Sequence, residues 1–131
     1  MSDFSYFPDD PIAQNVGGVL VYRALLTQTG TNAPVATVVE NSLVGIPVWT
    51  YRGVGAYRLT LNGMFPVGSV HTIIGSNLSI ITSFSLSLTD HTVTNFINFN
   101  TYDVNLTAGT ITAADGVWSN TSVQILVYPM Y

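Results

Sequence analysis

The chain reads as an all-β protein: an antiparallel β-sandwich, jelly-roll-like, behind an irregular N-terminal arm. Three observations predict this. Runs rich in Val, Ile, Thr, Tyr and Phe recur between turn residues at a spacing of roughly eight to twelve positions. Within several runs apolar and polar residues alternate with period two, as a strand with one buried face requires. No stretch shows the three- and four-residue apolar spacing of an amphipathic helix. Many short strands without helices are the pattern of sandwiches and jelly rolls.

The elements follow in order. Residues 1–18 form the arm, with Phe4, Tyr6 and Phe7 close together and Pro8 and Pro11 excluding a helix or a central strand. Three aromatics so close are unusual in a segment left in water, so these residues are expected to dock on a neighbour. The sandwich domain, 19–131, opens after Gly17-Gly18 with strands over 19–29 and 35–43, separated by Gly30-Thr-Asn-Ala-Pro34. Strands over 48–52 and 57–62 meet across Gly53-Val-Gly55 as a hairpin. Tyr57, Leu59 and Leu61 are expected inward, with Arg58, Thr60 and Asn62 outward. A strand over 70–74 ends at Gly75-Ser-Asn77. Over 78–89, Phe84, Leu86 and Leu88 alternate with Ser83, Ser85 and Ser87, and Asp90-His91 is read as the turn that follows. A strand over 93–100 continues through 101–106, Ala108-Gly109 and Ala113-Ala-Asp-Gly116 are read as turns, and the last strand covers 121–129.

Composition narrows the function. At 131 residues the chain can bury a core without a disulfide or a metal, and it has no Cys to form either a disulfide or a thiolate site. Charged residues are 8% of the chain, where a soluble domain averages about 25%. Lys is absent, and the only cations are Arg23, Arg52 and Arg58. With 47% hydrophobic residues and a positive mean hydropathy, such a surface is expected to be covered in part by neighbours. A net charge of −4 argues against nucleic acid, which needs clustered Lys and Arg. No apolar run is long enough for a transmembrane helix. The start lacks a basic segment followed by an apolar one, so no signal peptide is expected and, with Met1 as the true start, the chain is expected to be made in a cytosol. Asn77-Leu-Ser, Asn105-Leu-Thr and Asn120-Thr-Ser match the glycosylation pattern, which a chain rich in Asn, Ser and Thr meets by chance.

No constellation of catalytic residues emerges, and no catalytic residue, cofactor or metal ligand is assigned. His71 lies in a strand and His91 in the presumed turn, without the spacing of a metal motif. The carboxylates Asp3, Asp9, Asp10, Glu40, Asp90, Asp103 and Asp115 offer no reason for a glycosidase pair to meet. Asp90 and Asp115 read as turn formers that bond their own backbone. The sequence has no Gly-x-Ser-x-Gly elbow and no phosphate-binding loop. Trp49 and Tyr57 are expected in the core. Trp118, in the turn-like Asp-Gly-Val-Trp-Ser-Asn, is expected to be exposed; with Tyr102 and Tyr51 it would make a sugar-stacking platform. Arg52 and Arg58 flank the hairpin and are expected to pair with Glu40 or Asp103, within the fold or across an interface.

Tyr22-Arg-Ala-Leu-Leu-Thr-Gln-Thr-Gly-Thr-Asn-Ala-Pro34, Val39-Glu-Asn-Ser-Leu43, Val48-Trp-Thr50 and Gly55-Ala-Tyr57 resemble a small β module of uncharacterised proteins in bacteriophages and environmental bacteria, notably the Bacteroidetes. The ending Asn120-Thr-Ser-Val-Gln-Ile-Leu-Val-Tyr-Pro129 fits the same module, so the resemblance covers most of residues 19–129. Ala56 departs from it, where an acidic or polar residue is expected before the Tyr. The resemblance implies a virion structural part: a capsid decoration protein, a head fibre or spike, or a tail component. It transfers no catalytic residue. The sequence therefore predicts a homo-oligomer, trimer before dimer, docked on other virion proteins through residues 1–18. The alternative is a carbohydrate-binding, receptor-binding module that takes a host glycan.

Overall fold

A computed structural model describes residues 18–75 and 83–129. The three aromatics of the arm, Phe4, Tyr6 and Phe7, lie outside the described residues. Nine strands are described: β1 (Leu20–Thr27), β2 (Val35–Asn41), β3 (Val48–Gly53), β4 (Ala56–Thr60), β5 (Val70–Ile74), β6 (Ser83–Val93), β7 (Phe96–Asn105), β8 (Thr110–Ala113) and β9 (Thr121–Val127). They form two antiparallel sheets packed face to face, a β-sandwich. One sheet has the order β2-β1-β9-β5. The other runs β3-β4-β7-β6, with β8 also paired to β7. Strands β4 and β8 share one side of β7: β4 pairs with Phe96–Asn100 and β8 with Tyr102–Asn105.

The core follows from the alternation. Tyr22, Ala24 and Leu26 of β1 and Val123, Ile125 and Val127 of β9 point inward and are buried. Trp49, Tyr57, Leu59, Ile97 and Phe99 meet them from the other sheet. Each fully buried Leu, Ile or Phe contributes about 1.5–3 kcal/mol of transfer free energy. A one-residue slip would turn every one of these side chains outward, so the core also fixes the register. Tyr57 and Leu59 of β4 lie where the sequence places them.

The chain crosses between the sheets several times. Ser42–Pro47 leads from β2 to β3 and exposes Val44 and Ile46, while Leu43 turns inward. The link from β4 to β5 buries Phe65 completely. Residues 114–120 carry the chain from β8 back to β9, which inserts between β1 and β5.

Three readings of where residues lie need correction. The turn after β6 is at Thr94-Asn95, not at Asp90-His91. Asp90 and His91 remain in the strand, where the pairing with β7 is irregular between Asp90 and Val93, and a bulge there keeps the strand running. His91 accordingly packs against the interior, with Nε2 donating to the Phe65 carbonyl at 2.7 Å. Thr110–Ala113 is a strand that the sequence does not announce: all four side chains are exposed, so no buried face leaves a pattern. The third concerns Trp118.

Candidate interaction surface

Trp118 is 1% exposed and is not a surface aromatic. Its crossover passes over the interior, so the side chain falls between the sheets. The ring lies 4.9 Å from Tyr57, 5.7 Å from Trp49 and 5.9 Å from Phe99. Its indole N–H donates to Ser87 Oγ at 3.0 Å, and the Trp49 indole donates to the Tyr22 hydroxyl at 3.1 Å. Both polar edges are thus satisfied inside an apolar cluster. Of the three aromatics expected to form a sugar platform, Trp118 is core and Tyr51 packs at 5.9 Å from Tyr57, with Tyr102 half-buried on β7. A buried Trp118 cannot stack on a ligand, so the platform is not assembled.

Beside this cluster lies a polar knot that the sequence reading missed. Asp115 does not bond its own turn. Its Oδ1 accepts the Gly55 N–H at 2.8 Å and lies 3.0 Å from the Tyr57 hydroxyl, while Oδ2 accepts the Tyr51 hydroxyl at 2.9 Å. Gln28, 1% exposed, completes the knot. Its Oε1 accepts the Gly116 N–H at 2.6 Å and lies 2.9 Å from the same Tyr57 hydroxyl, whose one proton serves two acceptors. Its Nε2 donates to the carbonyls of Gly30 and Asn32 at 2.8 and 3.0 Å. Burial pushes the Asp115 carboxyl up, but the Gly55 N–H and the two tyrosine hydroxyls outweigh it and hold the group below its ordinary value. Burial pushes the Tyr57 hydroxyl up, and the neighbouring Asp115 charge adds to this. The arrangement fastens the two sheets at one end.

The outer face of β3, β4 and β7 carries the remaining sequence candidates. Val48, Thr50 and Arg52 alternate outward from β3, Arg58 and Thr60 from β4, and Phe96, Asn98 and Asn100 from β7. Arg58 stands directly across from Asn98 and donates Nε to its Oδ1 at 2.9 Å, while the guanidinium lies 3.6 Å over the Phe96 ring. Desolvation by this packing lowers the Arg58 pKa, and the like charge of Arg52 lowers it further. The pairing expected of Arg52 and Arg58 is not the one formed among the described residues. Glu40 is taken by Arg23, its register partner on β1, and Arg23 also donates Nε to Gln124 at 2.9 Å. Asp103 lies on β7 beyond the β4 pairing, nearer β8. The sheet therefore keeps Arg58 with an aromatic and an amide, and Arg52 exposed.

Apolar surface is concentrated elsewhere. Strand β2 is an edge and is exposed on both faces, with Ala36 alone half-buried. Val35, Val38 and Val39 on it, and Val44, Ile46 and Val48 after it, are all exposed. Val39 and Ile46 are 68% and 79% exposed. Glu40 is the one charge on the strand and is already paired. Edge strands are guarded by Lys, inward charge or a bulge; here Lys and inward charge are absent, and an irregularity at Val39 is the one such device.

Among the described residues no group of three His, Cys, Asp or Glu could hold a metal ion, and no helix is long and apolar enough to cross a membrane. No family model, curated protein or solved structure matches the chain.

Proposed function

We propose that this protein is a structural subunit that works by associating with copies of itself and with other virion proteins, as a jelly-roll-like module on a particle surface. The observation that carries the association is an apolar edge without Lys: β2 and the segment after it expose Val35, Val38, Val39, Val44, Ile46 and Val48 in a chain with three cations. Exposed apolar edges template pairing with another chain unless covered. The resemblance to phage modules supports the virion context.

Light scattering coupled to size exclusion tests the association. The expected result is a trimer, or failing that a dimer, at micromolar concentration, and a stable monomer would sink the reading. The virion context is checked by immunogold labelling of purified particles with an antibody to the protein. Unlabelled particles would remove that part and leave the association standing.

A further inference from the structure

Strand β2 ends its sheet, and the bonding of β1 shows which backbone groups of β2 point away. Even-numbered residues of β1 bond toward β9: in the same row the Gln28 N–H reaches the Trp118 carbonyl, on the crossover that leads into β9, at 2.9 Å. Odd-numbered residues bond toward β2, as the Ser42 N–H does to the Val21 carbonyl at 2.8 Å. Bonded and non-bonded pairs alternate along an antiparallel ladder. Leu25 with Thr37 and Thr27 with Val35 are therefore bonded pairs, and the N–H and C=O of Ala36 and Val38 face outward from the edge. Around Thr37 the strand reads nearly the same in both directions, Val35-Ala36 on one side and Val38-Val39 on the other. Val35, Thr37, Val38 and Val39 are exposed. The nearest charge, Glu40, is held by Arg23 of its own copy. The irregularity at Val39 bounds this stretch at one end, and Pro34, which has no N–H, bounds it at the other.

We propose that β2 of one copy pairs antiparallel with β2 of a second copy about a two-fold axis through Thr37, joining their four-stranded sheets into one continuous sheet. This rests on the reading that the protein self-associates; it names the surface and selects the dimer from the two stoichiometries. Ala36 of each copy exchanges backbone bonds with Val38 of the other, Thr37 faces Thr37, and Val35 lies beside Val39. A second copy fits because the strand is nearly its own reverse: apolar residues meet apolar ones and Thr meets Thr. Glu40 falls opposite Pro34, so no like charges meet. The arm is the poorer occupant, since Pro8 and Pro11 both lack the donor that a ladder uses.

The test places one Cys on the axis of a chain that has none. Thr37 and its copy form a non-bonded pair with Cα atoms about 4.5 Å apart, within reach of a disulfide. Thr37→Cys, mildly oxidised, is expected to run as a linked dimer on a non-reducing gel. Val35→Cys, on the same strand and 68% exposed, is the control. Its two copies would lie about 13 Å apart and should stay unlinked. Charge at the same position reads the pairing without a covalent bond. Thr37→Lys and Thr37→Asp each set like charges face to face, and each is expected to weaken association about fivefold or more in sedimentation velocity. Mixing the two should restore it, because only a contact that brings position 37 onto itself can do so. Thr37 is exposed, so these variants should melt as the parent does; if a charged variant does not, the two Cys variants decide. An oligomeric wild type in which Thr37→Cys links no more than Val35→Cys, or in which mixing restores nothing, overturns the edge pairing while self-association stands. A trimer does the same, since a two-fold contact cannot close one. A monomeric wild type overturns both readings.

Discussion

Asp115 Oδ1 accepts the backbone N–H of Gly55 at 2.8 Å, which joins the tip of the β3–β4 hairpin to the crossover that delivers β9. The same carboxylate takes two tyrosine hydroxyls, so three donors depend on one side chain. Asp115→Asn keeps the shape but replaces one acceptor oxygen with an NH₂ and leaves a donor unpaired. A loss of about 1–3 kcal/mol is expected. Urea unfolding of the two proteins measures it, and equal midpoints would show the knot to be idle.

Gly55 itself has no room for a side chain. Its φ is +65°, and a Cβ there would come 2.5 Å from the Thr101 carbonyl oxygen and 2.9 Å from the Ala114 nitrogen. Both are backbone atoms and cannot step aside. Gly55→Ala is therefore expected to cost more than the about 1 kcal/mol of an ordinary positive-φ glycine. Thermal melting checks this, with Gly109→Ala, whose Cβ would meet nothing, as the control at another positive-φ site.

Acid should loosen the fold through the same carboxylate. The folded pKa of Asp115 lies below its ordinary value, so ionisation contributes stability above about pH 4 that is lost as pH falls through the folded value. Asp115→Asn is expected to flatten that part of the profile. At the other extreme the Tyr22, Tyr51 and Tyr57 hydroxyls are held above their ordinary value. Their contribution is present below about pH 10 and is lost as pH rises through the folded values. Unfolding midpoints from pH 2 to 11 show whether both limbs exist.

Trp118→Ala removes the ring that touches Trp49, Tyr57 and Phe99, and a loss of about 3–5 kcal/mol is expected. Trp118→Phe keeps most of the volume and forfeits the bond to Ser87, so it should cost less. Calorimetry distinguishes these. A glycan-binding defect in Trp118→Ala would report unfolding and not a lost sugar contact, so Tyr102→Ala is the informative variant for that question.

Placing Lys on the bare edge should separate association from folding. Val39→Lys and Ile46→Lys change side chains that are 68% and 79% exposed. Unfolding free energies are expected within about 0.5 kcal/mol of the parent. Association is expected to fall if this edge is an interface, and light scattering reads it. Undiminished association would move the interface off β2.

On β9 the one wet face shows in the sequence. Val123, Ile125 and Val127 alternate cleanly because β9 packs one face on the core, and Gly53 and Gly55 announce their hairpin because the turn requires positive φ. The failures have physical causes. Asp-Gly-Val-Trp-Ser-Asn has the composition of a surface turn, yet a crossover between sheets must pass over the core, and that turns Trp118 inward. Asp115 has a local alternative in its own backbone, and only the fold reveals that Gly55, sixty residues away, is its partner. The bulge near Asp90 lets turn-forming residues stay in a strand. Edge exposure on β2 is equally invisible in sequence, since valines on an edge and valines in a core look alike.

The place of β9 has a consequence for how this molecule comes into being. It fills the slot between β1 and β5, about a hundred residues after β1 was made. A growing chain that has emerged as far as Asn120 has β1 and β5 with no strand between them, and Tyr22, Ala24 and Leu26 face an unfinished interior. Closure must wait for the last strand and must bring together ends that are far apart in the chain, which makes for slow, all-or-none folding. Until then Val123, Ile125 and Val127 are missing from the interior, and the apolar inner face of β1 is the surface most in need of shelter.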